Sequence, residues 1–324
     1  MSLHKEISFE VEICEYLAAH GWLYAEGDAA NFDRARALFP ADLLVWVKET
    51  QPKAWEELEK NHGARAGETL LSRLRDQLDQ RGTLDVLRHG VELLGLRQPV
   101  QLAQFKPALA INEEILARYK ANRLRIVRQV RYSLQNENCF DLVLFLNGIP
   151  VATVELKTDF TQSVDDAVDQ YRFDRDPRPK GQSAEPLLTL PGGALVHFAV
   201  SNSEVRMTTK LEGKSTSFLP FNLGNKGAAG NPPDPLGGHR TAYLWREVWA
   251  RESWLEILGR YLIARGKMTC SIFFFASRLL HDGPGEKYLV QHSAGSGKTN
   301  SIAWTAHFFS ELHAPCNRRV TSSW

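Results

Sequence analysis

Apolar positions recur at helical spacing near the start of the chain: Phe9, Ile13, Tyr16 and Leu17 fall on one stripe, and Gly21 supplies a stop. From Asp42 to Leu96 apolar and charged residues alternate with the same period. Leu70, Leu71, Leu74 and Leu78 share one face there, and Gly63, Gly67 and Gly82 interrupt the run. This pattern predicts several short helices, a helical insertion over residues 42–100. The period changes near Asn122. Leu124 to Tyr132 alternates apolar with basic positions, as a half-buried strand does. Phe140 to Leu146 and Val151 to Lys157 are two apolar, β-branched runs joined through Asn147-Gly148, a strong hairpin signal. Ser163 to Phe173 reads as a polar helix and Ala194 to Ser201 as a buried strand. The Gly-, Pro- and Asn-rich stretch from Leu223 to Arg240 reads as a loop. A helix is expected over Thr241 to Leu262, with Trp245, Trp249, Leu255, Leu258 and Leu262 close to one face. A boundary near Gly266 divides residues 1–265 from residues 266–324.

Composition narrows the class only a little. Apolar content of 43% and charged content of 24% over 324 residues are those of a globular protein. The formal net charge is +1, so a nucleic-acid partner would have to be held by a local basic patch. Cys14, Cys139, Cys270 and Cys316 are too scattered for a disulfide framework or a zinc site, which points to a reducing cytoplasm. The amino terminus is charged and lacks an apolar signal core, and no stretch is long enough to span a bilayer. No membrane association is expected.

The hairpin carries the chemistry. Asp141 and Glu155 lie inside otherwise apolar runs on adjacent strands, where an unpaired charge is costly. Mg²⁺ takes hard oxygen ligands, commonly one or two carboxylates with water and phosphate filling the other positions. Lys157, two residues beyond Glu155, emerges on the same face of its strand. Its ammonium is suited to orient an attacking water and to offset developing negative charge. A strict two-residue turn at Asn147-Gly148 would pair Asp141 with Val154 and send Glu155 to the opposite face. A three-residue loop, or a bulge with Gly148 left-handed, would pair Asp141 with Glu155. Metal chemistry requires the bulged register or an equivalent bend. An E-x-K triplet by itself usually means solvated charge on an edge strand.

D-(x13)-E-x-K across a hairpin resembles the PD-(D/E)xK nuclease core. With F-E-x-x-I-C around Glu10, N-G-I-P at Asn147 to Pro150 and Q-Y-R-F-D-R at Gln170 to Arg175, the chain resembles the restriction subunit of type I restriction enzymes over Ile7 to Thr305. The resemblance implies an ATP-dependent, cytoplasmic subunit that works on DNA with methyltransferase and specificity subunits, translocating and then cutting it. It implies Asp141, Glu155 and Lys157 as catalytic residues, with Asp141 and Glu155 holding Mg²⁺. Gln170 is carried over from the family's Q-x-x-x-Y motif, from which this chain departs: Tyr171 follows directly and Asp174 takes the fourth position. Glu10 is a candidate for the metal or water network, and equally a dipole partner at a helix start.

Tyr288 to Gln291 followed by His292-Ser-Ala-Gly-Ser-Gly-Lys-Thr299 gives a strand, a glycine-containing turn and a helix, the context of a P-loop. Gly295, Ser296 and Gly297 would cradle ATP phosphates, Lys298 would contact the β and γ phosphates, and Thr299 would ligate Mg²⁺. His292 replaces the usual first glycine. No acidic motif follows before Trp324, and the segments Lys267–Leu280 and Ala314–Trp324 depart from the family pattern, which suits a truncated or frameshifted gene. Weak nucleotide binding and no ATP turnover are expected of this chain.

The expected architecture is therefore α/β: a PD-(D/E)xK-like mixed sheet flanked by helices, then a partial RecA-like P-loop lobe. The expected function is endonucleolytic DNA cleavage within a type I restriction complex. Two rivals stand beside it: a catalytically silent remnant that docks on DNA or partner subunits, and a P-loop nucleotide-binding protein with structural carboxylates. Arg123, Arg125, Arg128 and Arg131, extended by Arg172, Arg175, Arg178 and Lys180, read either as a solvated face or as a phosphate-tracking strip. The tryptophans of Trp245 to Trp254 read as packing before base stacking. His307 and His313 lack the spacing of a metal pair.

Overall fold

Alternation of the two periods along the chain produces a sheet with helices on both sides. The computed structural model describes residues 2–107, 111–159, 162–225, 228–265 and 269–271. Helix α1 (Ser2–Ala19) leads into α2 (Pro40–Thr50), α3 (Pro52–His62), α4 (Ala66–Arg81) and α5 (Thr83–His89), the several short helices expected of this stretch. Leu70, Leu74 and Leu78 of α4 are fully buried, and so are Ile13 and Leu17 of α1. Helix α6 (Glu113–Ala121) opens on the cap Asn112, whose side chain accepts from the amides of Glu114 and Ile115.

Six strands follow in sheet order: β1 (Leu124–Arg131), β2 (Cys139–Leu146), β3 (Ile149–Leu156), β4 (Val196–Val200), β5 (Val205–Thr208) and β6 (Leu219–Pro220). All neighbours are antiparallel except β3 and β4, which run parallel and are connected through α7 (Val164–Phe173). The sheet is therefore mixed, as expected. Every residue of β3 is buried, because this strand lies inside the sheet with packing on both faces. Helix α7 begins with a capping box in which Ser163 and Asp166 satisfy each other's backbone amides.

The tryptophan-rich segment is not the continuous helix its periodicity suggests. It breaks into a π-helical turn at Leu244–Val248, α8 (Arg251–Glu256) and a second π turn at Ile257–Tyr261. Trp245, Trp249 and Trp254 are buried, and Trp249 meets Phe198 of β4 edge to face with ring centroids 5.6 Å apart. Three large indoles are buried on this short segment, and two π turns interrupt its 3.6-residue period. The packing reading of these residues is the one realised. A short two-stranded pair, β7 (Ile263–Arg265) with β8 (Thr269–Ser271), follows. The P-loop Gly295 to Thr299, and His307 and His313, lie outside the described residues. Among the described residues no helix is long and apolar enough to cross a membrane.

Candidate functional site

The hairpin combines the two-residue turn with a bulge further along the strands. Its turn is a strict two-residue one: Asn147 and Gly148 take φ of 49° and 82°, and Leu146 pairs with Ile149. The register then shifts, because Phe145 faces Pro150 but Leu144 faces Ala152, leaving Val151 as the extra residue of a β-bulge. From there Leu142 opposes Val154, a register that, continued by one residue, brings Asp141 abreast of Glu155. The bulge sits in the strand, not at Gly148 as expected, and it puts both carboxylates on one face.

Beyond the Leu142–Val154 pair the Asp141 side chain takes over the ladder: its Oδ2 accepts from the Leu156 amide at 2.7 Å. Glu155 is 1% exposed. Burial first, and the neighbouring Asp141 charge second, push its carboxyl upward from the ordinary range. Arg175, just past α7, pulls the other way through a 2.8 Å bond from Nε to Glu155 Oε1. Lys157 continues along the same face; its amide bonds to the Val200 carbonyl at 2.8 Å, and its charge acts on Glu155. Among the described residues no carboxylate lies within ion-pair distance of the Lys157 ammonium.

Glu10 joins this group from α1. Its carboxylate accepts from Arg128 Nε at 3.0 Å and from Gln129 Nε2 at 2.9 Å, and the same Gln129 nitrogen lies 3.4 Å from Asp141 Oδ1. Burial, followed by the Asp141 charge, raises the Glu10 carboxyl. The bridge depends on Gln129, whose φ of 50° is left-handed within strand β1. A non-glycine residue in that region carries strain, and such strain collects at functional sites. Glutamine at a strand position gives no signal of this in the sequence.

Gln170 and Tyr171 separate. Gln170 lines a cavity of about 600 Å³ together with Asp141, Arg175 and Phe173. Its Oε1 is buried and takes no hydrogen-bond partner among the described residues. Tyr171 instead belongs to the core, where its hydroxyl lies 2.8 Å from Thr153 Oγ1 and donates to the Phe198 carbonyl at 3.3 Å. The basic strip resolves toward internal pairing. Arg123 and Arg125 bind Asp42, Arg128 binds Glu10, Arg131 binds Glu137, Arg172 lies 3.6 Å from Asp169, and Arg175 is consumed by Glu155. Among the described residues Arg178 and Lys180 keep no acidic partner and stand exposed near the cavity. Cys14 and Cys139 are free thiols.

A mixed sheet with helices on both sides, carrying this hairpin, is a nuclease-like α/β domain. The family model described as Type I restriction enzyme R protein N terminus matches residues 9–216, and the chain belongs to that family. The matched segment covers more than half of the chain and contains Glu10, Asp141, Glu155, Lys157 and Gln170. A search of curated proteins finds no match.

Proposed function

We propose that the chain cleaves DNA phosphodiester bonds as the nuclease part of a type I restriction complex, using Mg²⁺ held by Asp141 and Glu155. One observation supports the reading: the bulge at Val151 shifts the register so that Asp141 comes abreast of Glu155, and the charges of Asp141 and Lys157 both act on Glu155. Among the described residues no group of three or more His, Cys, Asp or Glu side chains could enclose an ion. Two carboxylates nevertheless fit Mg²⁺, which keeps several waters and shares its sphere with substrate phosphate. When bound, the ion polarises the phosphate and acidifies water. Lys157 then steadies the water or the charge developing on phosphate, and Glu10 with Gln129 holds Asp141 from the α1 side. Gln170 is placed to meet the substrate at the cavity wall. Methyltransferase and specificity subunits supply the sequence recognition, and the loop Gly295 to Thr299 belongs to an ATP-driven motor.

The test uses the complete complex with its DNA. Asp141→Asn and Glu155→Gln are expected to abolish Mg²⁺-dependent cutting. Lys157→Ala should keep metal binding and slow cutting by about 10²- to 10³-fold. Parental cutting by the doubly substituted carboxylate variant rules the assignment out. The silent-remnant reading has one observation in its favour, the ion pair that already occupies Glu155 Oε1. Retained DNA or subunit binding without any cutting by the parent would select it.

A further inference from the structure

We propose that Arg175 is a positioning residue of the nuclease site, fixing the Glu155 carboxylate so that its second oxygen is presented to a divalent cation shared with Asp141. This rests on the nuclease reading of the hairpin. Arg175 does not lie on the hairpin at all. It follows α7, on the loop whose Asp174, Asp176 and Pro179 wall the cavity.

Its guanidinium reaches both strands that carry the carboxylates. Nε donates to Glu155 Oε1 on β3 at 2.8 Å, and one terminal nitrogen donates to the Cys139 carbonyl on β2 at 2.9 Å, two residues before Asp141. The Phe140 ring lies 5.1 Å and the Tyr132 ring 5.7 Å from the guanidinium carbon. A planar fork with two bonds and aromatic neighbours has little freedom to rotate, and it passes that restriction to the carboxylate it grips. With side-chain exposures of 6% for Arg175 and 1% for Glu155, the grip of the guanidinium on the carboxylate is shielded from bulk solvent. Stability does not account for it, since well-packed apolar residues commonly do as well as a buried ion pair. Holding a ligand's carboxylate in one orientation does account for it, because partners behind the ligands set a site's affinity. Lysine can keep the charge at this position but cannot reproduce the planar, two-strand grip.

The experiment measures Mn²⁺ and Mg²⁺ binding to the purified chain by calorimetry without DNA, for the parent, Arg175→Lys, Arg175→Ala and Asp141→Asn. Thermal unfolding of each is recorded alongside. The proposal expects Asp141→Asn to remove binding. Arg175→Lys should raise the metal Kd about tenfold or more while leaving its melting temperature near the parent's, with Arg175→Ala at least as weak. The half-saturating Mg²⁺ for cutting by the complete complex should shift in step. Parental metal affinity in a folded Arg175→Lys overturns the proposal and leaves the nuclease reading standing, as does weakening only in proportion to lost folded protein. Parental binding that Asp141→Asn does not alter removes the nuclease reading and this inference with it.

Discussion

His197 is fully enclosed in β4, its Nδ1 2.7 Å from the hydroxyl of Thr153, which also meets Tyr171. Burial pushes the imidazole down to about 3, so the folded ring stays neutral where an unfolded one titrates near 6.5. Between those values the unfolded chain binds one more proton. Stability is therefore lost as pH falls through 6.5 toward 3, by about 2 kcal/mol at pH 5. The carboxyls of Glu10 and Glu155 are raised and oppose this trend, so the effect is read as a difference between proteins. Denaturant unfolding at pH 7 and pH 5 should show His197→Gln losing less stability on acidification than the parent. Equal losses would mean that the ring is protonated in the fold. Arg175 counts among surface cations on the page of letters, because nothing in its neighbours reveals a carboxylate that a fold brings to it from β3. Tyr171 stands next to a motif glutamine and yet belongs to the core, a distinction that only the rotation of α7 against β3 and β4 makes.

At the scale of elements, the hairpin was legible because turn chemistry and strand period are local rules. Asn147-Gly148 and the alternating runs fix both strands, and the demand that two carboxylates share a face showed that a residue had to be inserted. Where it went was not legible. Pro150 lacks an amide and Val151 follows it, and it is Val151 that leaves the ladder. The Thr241 to Leu262 segment shows the opposite case, where period alone suggests one helix and two π turns interrupt it. The turn itself is unusually enclosed. A Cβ on Gly148 would stand 2.4 Å from the Phe39 carbonyl oxygen and 3.0 Å from Leu43, at a φ of 82°. Gly148→Ala should destabilise by more than the roughly 1–2 kcal/mol of the left-handed backbone alone. Urea denaturation checks this, and an unchanged midpoint would show that the turn relaxes freely.

For the molecule as a whole, the formal charge is only +1, and among the described residues most arginines of the strip beside the site face their own acids, which leaves few cations next to the site to displace counterions from DNA. The isolated chain should bind duplex DNA weakly, with log K falling against log salt at a slope of about −2 to −3, the value for two or three phosphate contacts. Fluorescence anisotropy across salt concentrations measures it. A slope of about −6 or steeper would point to a phosphate track among residues treated above as paired.

The enclosed hairpin turn also bears on how such a protein can vary in length. Exposed loop tips ordinarily accept added residues. Here Asn147 is fully buried, bonding through its side chain to the Arg123 amide, the Leu102 carbonyl and Asn122, while the Gly148 carbonyl receives the Phe39 amide. An insertion at that tip would have to displace two helices and a strand at once. Leu236, by contrast, is 80% exposed, and its amide is tied only to Asp234 two residues before it. Tags and spacers therefore have their natural entry point at Leu236, and the short route between the two carboxylates is closed to them.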